Sequence, residues 1–193
     1  MHPESVAPLD FDEACARIAD LDLEPIAYKL AYPEEGEGSS PSEVYRVIDL
    51  YRHFLVLNGV YPTRPIVPTK EIDKVWHTHI LDTSKYRADC EQALGRFLDH
   101  FPYFGMRGDK DAARLEEEFE ASRGLFLQHF GVDPKVAAEK AADCGSGSCS
   151  PTCDAGQCGG CSQPPDCSSV RASSVDFRSR PSLALALSDP GEA

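Results

Sequence analysis

The chain has 193 residues, of which 41% are hydrophobic, and a formal net charge of −13 at pH 7. That length is enough for one domain with a sizeable core plus an extension. The acidic excess argues against nucleic acid or an anionic membrane as partner, since neither is drawn to it, and no run approaches the roughly 18 apolar residues of a membrane span.

The first twenty residues, MHPESVAPLDFDEACARIAD, lack the basic start and apolar stretch of a signal peptide. A cytoplasmic location with reduced thiols is therefore expected. Composition divides the chain into three parts. Residues 1–143 are rich in Leu, Ile, Val, Phe and Tyr and form the folded unit. Residues 144–167 are dominated by Cys, Gly and Ser. Residues 168–193 hold Ser, Pro and Arg, with LALAL as their one apolar patch, and are expected to be disordered.

The folded unit reads as helix after helix. Asp10-Phe11-Asp12-Glu13 has capping-box form, and Phe11, Cys15 and Ile18 follow at helical spacing. Pro25 opens a short second helix to Ala31, and Glu34 to Pro41 is a polar loop. Ser40-Pro41-Ser42-Glu43 is a second capping box. Behind it Val44, Val47, Ile48, Tyr51, Phe54 and Leu55 mark a stripe that stops at Asn58-Gly59. Prolines 62, 65 and 68 make an extended connection.

Thr69 caps the next helix, whose inward stripe is Ile72, Val75, Trp76 and His79. Asp82 or Thr83 restarts the chain into a helix carrying Tyr86, Cys90, Leu94 and Phe97, followed by the aromatic loop DHFPYFGMRGD. A long helix runs from about Asp111 to Phe130 and ends at Gly131, and Asp133-Pro134 starts a last short one. There is no strand-like alternation and no internal repeat. The reading is an all-α bundle of about five to seven helices with a disordered cysteine-rich C-terminal tail.

Chemistry concentrates between Glu71 and Gly105, which hold three of the six histidines and the single tryptophan. The pattern is an acid, Trp-His-x-His, a tyrosine, an acid–cysteine pair, and a later His-x-Pro-Tyr. It falls on Asp73, Trp76, His77, His79, Tyr86, Asp89-Cys90, His100, Pro102 and Tyr103. Over roughly residues 10–135 the chain resembles the glycine-rich-domain-containing-protein-like family of plants and bacteria, whose plant members are linked to growth and stress responses. Those members carry a glycine-rich region towards the C-terminus, where this chain has cysteines. The resemblance assigns no catalytic residue.

Helical geometry sorts the histidines. Asp73 and His77, four apart, share a face, whereas His77 and His79 point about 200° apart on a regular helix. One ion could take both only if the helix ends or distorts near His79, and Asp82-Thr83 offers such an ending. The candidate metal set is His77, His79 and His100 with Asp73 or Cys90, suited to zinc, iron or copper. Asp73, Tyr86 and Asp89 are available to orient the ligands from behind. The same histidines also allow metal-free acid–base chemistry. A purely structural reading stands beside both: His79 buried and bonded to a carbonyl or Tyr86, His77 in a surface hydrogen bond with Asp73, and His100 bracing its own loop. His53 reads as solvated or partner-facing, His129 as a helix-end cation and Cys15 as a core residue.

In the tail, Cys144, Cys149, Cys153, Cys158, Cys161 and Cys167 include one pair, Cys158 and Cys161, at chelating spacing. The sharpest reading is a cytoplasmic metal-binding helical protein whose tail relays metal to the domain or is itself the substrate, with enzymatic activity left open. The alternative is a non-catalytic scaffold with structural histidines that recruits a protein or peptide partner.

Overall fold

The computed structural model describes residues 7–34, 38–137 and 180–188. Among them are seven helices and no strand: α1 (Phe11–Ala19), α2 (Glu24–Ala31), α3 (Pro41–Val60), α4 (Lys70–Leu81), α5 (Thr83–Leu94), α6 (Asp109–Phe130) and α7 (Leu183–Ser188), with a further helical turn at 134–137. The all-α expectation holds.

Ser40 with Glu43 makes the complete capping box anticipated at α3, whereas the box anticipated at α1 does not form: Asp10 accepts from the Asp12 amide, and Glu13 pairs with Arg17 instead of reaching back. Thr69 caps α4 through the Ile72 amide, and Gly131 ends α6 at φ +67°. These contacts satisfy amides and carbonyls that a helix end otherwise leaves open.

Helix α3 is the axis and packs against each of α1, α2, α4, α5 and α6. Its first half shows the expected stripe, but Phe54 to Gly59 are buried on every side. A helix enclosed all round carries apolar residues all round. The helix also runs on past the Asn58-Gly59 stop to Val60. Gly59 packs closely against the N-terminal segment: a β-carbon there would lie 3.2 Å from Leu9 Cδ1, so Leu9 would have to shift by a few tenths of an ångström. Arg52 of α3 donates to the carbonyls of Ile18 and Leu21, closing the end of α1.

Helices α4 and α5 are separated by one residue. Asp82 ends α4, with its amide on the His79 carbonyl, and its carboxylate accepts from the Lys85 amide to start α5. The helix carrying the histidine motif therefore runs regularly through His79 to Leu81. Gly95, left-handed at φ +65°, terminates α5 and releases the aromatic loop. Ser122 of α6 pins the proline connection by accepting from the Val67 amide at 2.8 Å.

All six tail cysteines lie outside the described residues. Nine residues of the extension expected to be disordered, 180–188, instead sit against the body. Leu183 is fully buried, and Arg180 pairs with Asp82. Hydrogen bonds from Ser182 and Ala184 to Glu24 add to these two anchors.

Candidate metal centre

Three side chains that could hold a metal ion gather on the outer face of α4. Asp73 and His77 are one turn apart on that helix, and His100 arrives from the loop after α5. His77 Nε2 lies 2.9 Å from His100 Nε2, His100 Nε2 is 3.1 Å from Asp73 Oδ1, and His77 Nε2 is 3.6 Å from Asp73 Oδ2. His77 is exposed, while Asp73 and His100 are half-buried.

The loop that delivers His100 is held by a buried chain of hydrogen bonds. Trp76 Nε1 donates to the Tyr86 hydroxyl at 2.8 Å, which donates to the Leu98 carbonyl at 2.5 Å. His100, two residues on, packs on the Trp76 indole with ring centroids 4.5 Å apart. Farther along, Asp111 accepts from the amides of Gly105 and Arg107 and pairs with the Arg107 guanidinium. Gly105 has φ +86°, and a β-carbon there would come within 2.5 Å of Leu115 Cδ2, so this bend requires glycine.

Protons alone serve this cluster poorly. A neutral imidazole has one N–H and one lone pair, and a carboxylate has only acceptors. His100 Nε2 faces both His77 Nε2 and the Asp73 carboxylate, so the one proton it can carry answers only one of them. A cation held among them would answer all three. Ligand bonds of about 2.0–2.1 Å put donor atoms about 3.3–3.4 Å apart at tetrahedral angles and about 2.8–3.0 Å apart at right angles. The 2.9 Å separation fits the right-angle value, 3.1 Å lies between the two, and 3.6 Å, which runs to the other oxygen of Asp73, is wider than both, so small side-chain movements would complete a coordination shell.

His79 and Cys90 do not join. An unbroken α4 turns His79 inward, where it is 1% exposed. Its Nδ1 stands 2.9 Å from the Tyr51 hydroxyl, and its Nε2 donates to Asp89 at 2.9 Å. Lys85 Nζ, 2.9 Å from the same Asp89 oxygen, completes the network. Cys90 is buried beside Tyr86 and the Leu98 amide, and burial pushes its thiol up, away from the thiolate a metal needs. Of the residues expected behind the ligands, Tyr86 acts through Trp76, while Asp89 serves His79.

The partnership of Tyr51, His79, Asp89 and Lys85 was missed from sequence. The one local signal was Lys85 and Asp89 at helical spacing, four apart. His53, expected to be solvated, is half-buried and stacks on Phe130 with ring centroids 3.9 Å apart. Burial lowers its pKa to about 4. His129 bonds the Tyr61 hydroxyl at 2.8 Å rather than serving only a helix end, and Cys15 is half-buried.

Beside the cluster runs a groove of about 560 Å³. The proline connection, the start of α4 and the His100 loop wall it, with Ile66, Trp76, Leu98 and Phe101 as apolar lining and Asp73 and His100 on its rim. That volume is in the range of small-molecule sites.

A family model described as UCP032817-like matches residues 27–121, which contain the cluster, the groove and the inner network. The chain is also similar to Glycine-rich domain-containing protein 2 of Arabidopsis thaliana, 47% identical over 36 residues, or 19% of this chain. That alignment covers only 5% of the plant protein's length. No solved structure matches the chain. Similarity to the glycine-rich-domain group is thus found, over a short stretch. Among the described residues, no helix is long and apolar enough to cross a membrane.

Proposed function

We propose that this is a metal-dependent protein that holds a divalent first-row ion, zinc or iron(II), on Asp73, His77 and His100. The carrying observation is the convergence of two imidazole nitrogens and one carboxylate, whose candidate ligand atoms all lie within 4.8 Å of one another. Two histidines with one carboxylate form a donor set used for both catalytic zinc and non-haem iron, and three protein ligands leave a position open. A closed structural site would need a fourth side chain, and His79 and Cys90 face elsewhere.

An ion held open at the rim of the groove would polarise a bound water or a substrate oxygen. The reading is therefore a metal-dependent reaction on a small molecule lodged between the proline connection and the His100 loop. The six tail cysteines, soft thiolate donors, would collect metal for this site.

The experiment is cobalt(II) titration of the full-length chain with its six tail cysteines replaced by serine, read by calorimetry and visible absorption. Roughly one ion per chain should bind, as a three-ligand site requires. Asp73→Ala and His100→Ala should each lose it. Undiminished stoichiometry in both variants overturns the site. Metal bound only when the cysteines are present assigns it to the tail.

A further inference from the structure

Residues 180–188 meet the body as a docked peptide would. In sequence they are separated from residue 137 by 42 residues outside the described structure. Arg180 presents its guanidinium fork to Asp82, with Nε at 2.5 Å from Oδ2 and Nη2 at 2.9 Å from Oδ1, and it also reaches Ser84. Two parallel N–H···O bonds fix an arginine in orientation as well as place. Asp22 and Asp89 add attraction at longer range.

Three positions after the arginine, Leu183 is fully buried against the core. Between these two anchors, Glu24 at the start of α2 accepts from the Ser182 hydroxyl and the Ala184 amide, closing the first turn of α7. Beyond Leu183 the contact fades, and Leu185 is 72% exposed. One charged anchor, one apolar anchor and a capped helical turn form a short recognition motif, Arg-Pro-Ser-Leu, and the acidic body complements its charge.

We infer that the face formed by the start of α2 and the α4–α5 junction is a peptide-recognition site for an arginine-bearing segment that places a leucine three residues on, and that residues 180–188 fill it in cis. Neither anchor belongs to the metal cluster, so the two sites stand or fall separately. An arriving peptide with the same motif displaces the chain's own segment, and tethering makes that segment the stronger competitor.

The test uses a fluorescent synthetic peptide of residues 179–189 and the full-length chain with Arg180→Glu and Leu183→Asp, which clears the face. By anisotropy the peptide should bind the cleared chain at least tenfold more tightly than the unaltered chain. Adding Asp82→Arg to the cleared chain should abolish binding, and a peptide carrying Arg180→Asp should regain it. No binding to a cleared chain with unchanged circular dichroism overturns the inference, as does binding indifferent to Asp82→Arg. A dimer that forms only with the unaltered segment would show the face filled from a second copy, overturning the assignment in cis.

Discussion

The indole nitrogen of Trp76 donates to the Tyr86 hydroxyl at 2.8 Å, joining α4 to α5 where the His100 loop departs. The hydroxyl passes the bond to the Leu98 carbonyl, so one oxygen fixes two helices and a loop. His100 reaches Asp73 and His77 because that oxygen is there. Burial raises the pKa of Tyr86, which keeps the hydroxyl a donor.

Tyr86→Phe should therefore strand a buried N–H and a buried carbonyl while leaving the packing nearly intact. The expected cost is about 2–6 kcal/mol, at roughly 1–3 kcal/mol for each unsatisfied group. Cobalt affinity should fall as well, although Tyr86 touches no ligand atom. Urea unfolding and cobalt titration check the two effects, and unchanged values in both would refute the loop-holding role.

His77 and His79 should separate cleanly under mutation. His77→Ala removes an exposed ring and should change the stability of the metal-free protein by no more than about 0.5 kcal/mol, while abolishing cobalt binding. His79→Ala leaves Tyr51 and the Asp89–Lys85 pair without a buried partner. Each buried group left short of a hydrogen bond costs roughly 1–3 kcal/mol. Chains of the second variant that remain folded should still bind cobalt. Reversal of either pattern would place the site elsewhere.

The buried His53 makes a pH prediction. Its folded pKa, about 4, lies below its usual 6.5, because burial disfavours the charged ring. Its Nδ1 is also buried without a hydrogen-bond partner. Between those values the unfolded chain holds a proton that the folded chain does not. Stability is thus unpenalised above pH 6.5 and falls as pH drops towards 4, by at most about 1.4 kcal/mol per pH unit from this group. His53→Phe, stacking on Phe130 in its place, should flatten that slope in urea midpoints measured from pH 7 to 4.5. An identical slope would show that His53 is not the group titrating.

Much of the helical scaffold was legible because its signals are local. Capping by Asp10, Ser40 and Thr69 acts within three residues, and the stripe behind Ser40 repeats within a turn. The pairing of Asp73 with His77 belongs to the same class, since a regular helix sets residues four apart side by side. The end of α3 misled, because Gly59 resembles a stop while the helix continues through it, closely packed against Leu9.

By itself, then, the sequence determined the run of helices, their caps and the shared face of Asp73 and His77, all consequences of backbone geometry over a few residues. Only the tertiary structure decided which partners the remaining groups have. His79 is held by Tyr51, 28 positions earlier, and by Asp89, ten later. His100 reaches Asp73 from 27 positions away, and Arg180 reaches Asp82 from 98. Such pairs form when packing brings distant segments together, and no local periodicity carries that information. An unbroken α4 had to send one imidazole outward and the other inward. What waited for each lay elsewhere in the chain.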